Sequence, residues 1–415
     1  MSLVRRPGYW QFDAPMSARR THRKKKIQER DLRGWKWLGR FQTLLAAARE
    51  KVPAGPREKH GLRELGAHEY LSLFLFGMFN PVVDSMRGLC AASHLRRVRA
   101  ETGAEGPVAL SRFSEAQHVF DPELRRQVIG TLVEEGGAPI GASCGGGVDA
   151  RALRIVDSTL WKVVPRMRWA EYGGGRGGTT QAVRLHLKLR VSDGAPAAGL
   201  ISRGKLCERK ALAAQLRPGE IYLGDRDYGA DYRLLAAMEK QGCGFLVRLR
   251  AAADLRWQSE EPLSDAERAA GIVRAGRATL GSEERGPWRV VRIEPVGKEP
   301  VLLAASACFE AMTPGEIAEL YRKRWQVEQF FRWRKCLLPC RHFFAESERG
   351  VSFQIYLALT AALPLAAELG RRPSKRLMEL LRFHQMGWAG DDEVERGIAR
   401  DLRATHQAAA RKNKA

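Results

Sequence analysis

Tyr321, Arg324, Glu328 and Lys335 fall within the run 320–335, Leu-Tyr-Arg-Lys-Arg-Trp-Gln-Val-Glu-Gln-Phe-Phe-Arg-Trp-Arg-Lys. Just upstream, Thr313-Pro314-Gly315-Glu316 combines a capping box with Pro at the first helical position, which predicts a helix starting there and running through Lys335. At about 100° per residue the four polar side chains share an arc of about 60°. Trp325 and Phe331 flank this stripe, and Phe330 points away from it. A carboxylate held among cations in a partly apolar setting can act as a hard oxygen ligand while Arg and Lys grip phosphate oxygens. The same spacing also suits ordinary i, i+4 ion pairs on a helix surface, so the remaining acids decide between the two.

Those acids must come from elsewhere in the chain. Residues 152–156 form a short β-prone run that leads to Asp157, with Ser158 and Thr159 after it, which places Asp157 at or just beyond a strand end. Val183, Leu185, Leu187, Leu189 and Val191 alternate with Arg184, His186, Lys188 and Arg190, as in a half-buried strand. An apolar run at 197–201, a predicted helix near 209–216 and a fourth strand at 220–224 follow, and this last strand again ends in an acid, Asp225. Asp227 would point to the same side as Asp225 if the strand persisted. A single Asp at a strand end is more often a turn residue than a ligand. Three acids in serial order, on elements able to bring them together, are harder to dismiss.

The set resembles the YREK signature of cut-and-paste DDE transposases of bacterial insertion sequences, matched in full by Tyr321, Arg324, Glu328 and Lys335. The resemblance implies an α/β fold: a ribonuclease H-like catalytic domain with a β-rich insertion, flanked by N- and C-terminal helical regions. It implies that Asp157, Asp225 and Glu328 are the catalytic, metal-binding acids and that Tyr321, Arg324 and Lys335 contact DNA phosphates near the cleaved bond. The order strand, strand, strand, helix, strand, helix agrees with that topology. Asp225-Arg226-Asp227-Tyr228 departs from the family's Asp-Arg-Gly-Tyr at Asp227. Position within the motif favours Asp225 as the ligand, with Asp227 left open. The resemblance covers roughly residues 110–345.

Three converging carboxylates without cations would repel one another and drive at least one to its protonated form. Two divalent ions about 3.5–4 Å apart turn them into a clamp for phosphoryl transfer. Oxygen-only ligands favour Mg²⁺, with Mn²⁺ as a substitute, and argue against zinc.

Composition points to a nucleic-acid substrate. The 415 residues hold 70 Lys or Arg against 47 Asp or Glu, a formal net charge of +23. Residues 1–60 carry 16 of those cations and 5 of the acids, including the run Arg19-Arg20-Thr21-His22-Arg23-Lys24-Lys25-Lys26. Such a run suits salt-sensitive, sequence-independent phosphate contact. Residues 62–79, 84–94 and 122–135 read as helices. By resemblance this region recognises the terminal inverted repeats of the element. The apolar run 70–79 is too short to span a bilayer and reads as a buried helix.

Between Asp225 and Glu328 lie 102 residues, more than one strand-to-helix connection needs. Residues 271–280, 288–296 and 299–305 read as strands of an inserted subdomain. In the family that insertion sometimes carries a Trp that stacks on a flipped base; Trp288 is the first candidate and Trp257 the second, against a packed or interfacial role. The resulting organisation is a basic arm and helical DNA-binding region (1–145), a catalytic core in two parts (146–250 and 311–346) around the insertion (251–310), and a C-terminal helical region (347–415).

Two other motifs carry less. Cys336 and Cys340 lack the second Cys pair of a zinc site, and seven scattered cysteines without a signal peptide suggest reduced thiols in a bacterial cytoplasm, at the nucleoid. The run Gly173-Gly174-Gly175-Arg176-Gly177-Gly178 lacks the Gly-Lys-Ser/Thr ending of a P-loop and reads as a hairpin loop. Together these readings lead to a transposase that cleaves double-stranded DNA at the ends of its element and joins the 3′-hydroxyl ends to target DNA, as a homodimer on DNA and without membrane attachment. The alternatives are a catalytically inactive DNA-binding relative and a ribonuclease H-like nuclease without strand transfer.

Overall fold

The computed structural model describes residues 10–13, 37–120, 147–331, 343–369 and 374–412, a few positions inside those spans excepted. The chain divides into two compact units, one of residues 1–12, 139–162 and 170–330, the other of 13–138, 163–169 and 331–415.

The first unit is built on one mixed sheet. Its strands are β1 (Trp10–Asp13), β2 (Leu153–Lys162), β3 (Glu171–Gly175), β4 (Gly178–Arg190), β5 (Pro196–Arg203), β6 (Ile221–Gly224), β7 (Gly244–Leu249), β8 (Leu255–Glu260), β9 (Ile272–Leu280), β10 (Arg285–Ile293) and β11 (Val301–Ala305). Across the sheet they run β1-β5-β4-β2-β6-β7-β11-β10-β9-β8, with β3 paired to β4 beside this path. The centre is parallel, β2 to β6 and β6 to β7, in register Ile155↔Leu223↔Leu246. Its strands are apolar on both faces, as parallel strands covered on each side require. The β6–β7 crossover contains the helix Tyr232–Lys240, capped by Asp231, whose carboxylate accepts the Leu234 N–H at 3.1 Å. Leu234, Leu235 and Met238 bury its apolar face in the core with Tyr222, Phe245 and Val290.

This mixed sheet with flanking helices agrees with the ribonuclease H-like fold class expected above, but several details differ. β2 does not stop at Asp157. It continues to Lys162 because β4 pairs with it along its whole length, so Asp157 sits in mid-strand opposite Leu187. β4 is covered on its polar face as well. His186 and Lys188 are buried, His186 Nε2 meeting Ser202 Oγ at 3.0 Å and Lys188 Nζ donating to Glu220 Oε2 at 3.0 Å. The segment after residue 250 is not a separate sheet: β11 pairs with β7 (Ala304↔Val247), and β10, β9 and β8 extend the sheet outward. The glycine-rich run belongs to the β3–β4 hairpin, with positions 176–177 outside the described residues.

The second unit is helical, with helices Trp37–Lys51, Ala67–Phe79, Met86–Ala92, Arg96–Thr102, Leu110–Val119, Glu348–Leu369, Lys375–Gln385 and Asp391–Lys412. The apolar run is interior over residues 70–78. Tyr70 packs its ring against Phe74, Phe113, Phe120 and Phe353, with centroids 4.8–5.8 Å apart. Among the described residues no helix is long and apolar enough to cross a membrane. The predicted helix 122–135, the basic run 19–26, Cys336 and Cys340 lie outside the described residues.

Candidate functional site

The helix that opens at Pro314 begins as its sequence requires. Thr313 Oγ1 accepts the Glu316 N–H at 3.2 Å and the Glu316 carboxylate accepts the Thr313 N–H at 2.8 Å. Two residues of the outer strands region brace this start: Glu267 Oε1 accepts the Gly315 N–H at 2.9 Å, and buried Arg289 donates to the carbonyls of Phe309 and Met312. The α-helix runs only to Arg322. A 3₁₀ turn at Lys323–Trp325 follows, and the backbone is helical again at 326–328 and 330–331. A single helix through Lys335 is therefore not what forms over the described part, and Lys335 itself lies outside it.

Across the turn, Arg324 and Glu328 of the stripe remain in contact. Arg324 Nη2 donates to Glu328 Oε1 at 2.7 Å, and its Nη1 lies 3.9 Å from Asp157 Oδ2. The i, i+4 ion pair of the simpler reading is thus present, and it reaches an acid 167 positions away in the chain. The guanidinium also lies 5.9 Å from the Tyr321 ring centre. Phe330 is buried behind the stripe and Trp325 is exposed beside it.

Asp157 is held by its neighbour, the Ser158 N–H donating to Oδ1 at 2.7 Å. Burial raises its carboxyl to about 7; the Ser158 hydrogen bond opposes this, the negative charges of Asp225 and Glu208 add to it, and Arg324 opposes it. Asp157 and Asp225 are therefore electrostatic neighbours. Tyr321 is pushed up to about 12, chiefly by burial, with Arg324 acting against this and Asp225 with it. Fully buried Tyr228 is raised too, by burial and then by Glu208, Asp157 and Asp225.

Asp225 follows the last residue of β6 and turns the chain: its Oδ1 accepts the Asp227 N–H at 2.9 Å and its carbonyl accepts the Gly229 N–H at 3.1 Å. The strand has ended at Gly224, so the strand alternation that would put residues 225 and 227 on one side does not extend to them. The Asp227 carboxylate is exposed and lies 3.8 Å from Arg250. These two line a cleft of about 360 Å³ with Arg226, Arg248 and Glu299.

Arg324 thus joins Glu328 to Asp157, and the charge of Asp225 is felt at Asp157. Among the described residues no group of three or more His, Cys, Asp or Glu side chains is placed to hold a metal ion. As donors, the three carboxylates expected from the sequence are hard oxygens of the kind a divalent ion takes, and a cation beside Asp157 would favour its ionised form, which burial disfavours.

Trp288 is placed otherwise than a base-stacking residue. It is 3% exposed, its indole N–H donates to Glu239 Oε2 at 2.7 Å, and its ring meets Phe245 edge-on at 5.5 Å. Trp257 is partly buried, with the Arg274 guanidinium 4.2 Å over its ring.

Sequence reasoning missed Ser158, Arg184 and Glu208. Ser158 Oγ donates to Glu208 Oε1 at 2.6 Å, and Arg184 Nη1 donates to both Ser158 Oγ and Glu208 Oε1. The available signals were the hydroxyl directly after Asp157 and the acid opening the helix Glu208–Ala213.

Comparison with known proteins adds the family. The family described as "Transposase DDE domain" matches residues 150–363, just over half the chain. A probable transposase for insertion sequence element IS5377 of Geobacillus stearothermophilus is 28% identical over 221 residues, 51% of this chain and 55% of that protein. The putative transposase y4zB of Sinorhizobium fredii is 24% identical over 241 residues, 56% of this chain and 64% of that protein. A putative transposase for insertion sequence element IS4SA of Synechocystis is 22% identical over 330 residues, 77% of this chain and 88% of that protein. The match therefore spans less than two thirds of the first two relatives.

Proposed function

We propose a function from one premise: the chain belongs to the DDE transposase family, whose domain it carries at residues 150–363. The reading is a DNA transposase that cleaves at the ends of its own insertion sequence and joins the freed 3′-hydroxyl ends to target DNA. The observation that carries it is the convergence on Arg324: one guanidinium 2.7 Å from Glu328 and 3.9 Å from Asp157, with Asp157 in turn perturbed by Asp225. Acids from a mid-sheet strand and a late helical segment share that guanidinium, an acid at a strand end acts on the first of them by its charge, and a plain surface ion pair would require neither link.

The family is generally dependent on divalent metal, and in this chain Asp157, Asp225 and Glu328 are the residues that would hold two Mg²⁺ ions, with Mn²⁺ as a substitute. Bound there, the ions supply activation of a water or 3′-hydroxyl nucleophile and stabilisation of the leaving oxygen. The chain's own residues do the rest. Arg324, pre-oriented by Glu328, offers a planar donor set to a phosphate. Tyr321, kept protonated by burial, offers a phenolic hydroxyl as a donor rather than a charge. Lys335 would add a further phosphate contact. Asp227 faces Arg250, which favours Asp225 as the second ligand. The net charge of +23 supplies the long-range attraction for double-stranded DNA, and pairing of two element ends calls for a homodimer on DNA, at the nucleoid.

The test is product analysis. Purified protein is incubated with Mg²⁺ and a linear fragment carrying the gene's flanking DNA beside a circular target. Joined products containing both molecules support transposition; cleaved ends that never join would replace it with a nuclease, and binding without any cleavage with an inactive DNA-binding relative.

A further inference from the structure

The network behind Asp157 has no place in the three-acid description of the site. Ser158 sits between two acids and bonds to both. Its backbone N–H donates to Asp157 Oδ1 at 2.7 Å, and its hydroxyl donates to Glu208 Oε1 at 2.6 Å. Arg184, from β4, completes the arrangement: Nη1 reaches Ser158 Oγ at 3.1 Å and also Glu208 Oε1, while Nε donates to the Gly204 carbonyl at 3.2 Å.

We propose that Glu208 is a positioning residue for Asp157, acting through Ser158 and balanced by Arg184. The inference rests on the reading of Asp157 as a metal-binding acid. Its physical content is the aim of one carboxylate. Anchoring the Ser158 side chain fixes the peptide whose N–H holds Asp157 Oδ1, which leaves Oδ2 directed toward Arg324 and the locus shared with Glu328. Glu208 Oε1 accepts from a hydroxyl and a guanidinium together, and the bond to the guanidinium is strengthened by the charge of the acid. Arg184 offsets the charge that Glu208 would otherwise add beside Asp157. Exposure separates this pair from an ordinary surface ion pair: the Arg184 and Glu208 side chains are 17% and 19% accessible, as shielded as Arg324 and Asp157 at 17% and 19%. Exposed pairs contribute little, whereas partners that orient a ligand typically alter metal affinity about 10- to 100-fold.

The experiment is Mn²⁺ binding to the full chain, read by electron paramagnetic resonance of the free ion, with melting temperature measured alongside. Glu208→Ala and Ser158→Ala should each weaken Mn²⁺ affinity about tenfold. Ser158→Thr, which keeps the hydroxyl, should restore wild-type affinity. The double Ala variant should lose no more than either single one, since both break the same link. Asp157→Asn is the control for the underlying reading and should abolish this binding. Unchanged affinity in Glu208→Ala and Ser158→Ala, with Asp157→Asn defective, overturns the role of Glu208 and leaves the metal site standing. Unchanged affinity in Asp157→Asn overturns the metal reading and the positioning role with it. If Glu208→Ala does not fold, the contrast between Ser158→Ala and Ser158→Thr decides: equal affinities in that pair overturn the proposal.

Discussion

Arg324 and Asp157 lie 3.9 Å apart although 167 positions separate them in the chain, and each is more than four-fifths shielded from solvent. A guanidinium and a carboxylate so enclosed are poised by their surroundings, because neither is fully compensated by water. Arg324 also carries the hydrogen bond to Glu328, so one cation serves two of the three acids.

Asp157 sets a pH dependence of stability in the metal-free protein. Its carboxyl, ordinarily near 3.8, is raised to about 7 mainly by burial. Between those values the folded chain holds a proton that the unfolded chain has released, so stability is lost as pH climbs through that window. Asp157→Asn should therefore raise the melting temperature at pH 8 in EDTA, a gain on the order of 2–4 kcal/mol that shrinks toward pH 4. Thermal melts of both proteins across pH 4–8 test it; a gain that grows toward acid would contradict the assignment.

Trp288 should behave as a core residue. Removing a buried indole with its Glu239 hydrogen bond, in Trp288→Ala, is expected to cost about 3–5 kcal/mol of stability. Chemical denaturation gives the number. Near-wild-type stability combined with a specific defect in opening the DNA end, read with a fluorescent base analogue, would restore the base-stacking role.

Arg324→Ala should weaken both DNA binding and cleavage. Losing one phosphate contact lowers the slope of log affinity against log salt by about 0.9. It also strips Glu328 of its partner and leaves Asp157 facing Asp225 with less compensation. Fluorescence anisotropy at several salt concentrations measures the binding part; an unchanged slope would mean that Arg324 serves the acids and never meets a phosphate.

Local signals were the legible ones. Thr313, Pro314 and Glu316 announced the helix start because capping involves neighbours in sequence, and Gly224-Asp225 announced the end of β6 for the same reason. What the sequence did not disclose depends on distant partners. Asp157 lies in mid-strand because β4 pairs beyond it. Lys188 and His186 looked solvent-facing, yet Glu220 and Ser202 arrive to satisfy them. The extra strands read correctly as β, but only the Ala304↔Val247 pairing reveals that they prolong the main sheet. Trp288 looked like any tryptophan of an insertion until Glu239 and Phe245 closed around it. At the site, the Arg324–Glu328 pair was legible from its i, i+4 spacing, while the reach of Arg324 to Asp157, the 3₁₀ turn and the Ser158–Arg184–Glu208 network were not.

The most direct test of the central claim, that three carboxylates form one metal-dependent centre for DNA cleavage, compares wild type with Asp157→Asn, Asp225→Asn and Glu328→Gln. Each is incubated with a supercoiled plasmid carrying the gene's own flanking DNA, in Mg²⁺, Ca²⁺ or EDTA, with DNA binding measured in parallel. The account predicts excision by wild type in Mg²⁺ alone, and its loss by at least about a thousandfold in all three variants while binding persists. Excision that survives any one of those substitutions, or that proceeds in EDTA, would contradict it.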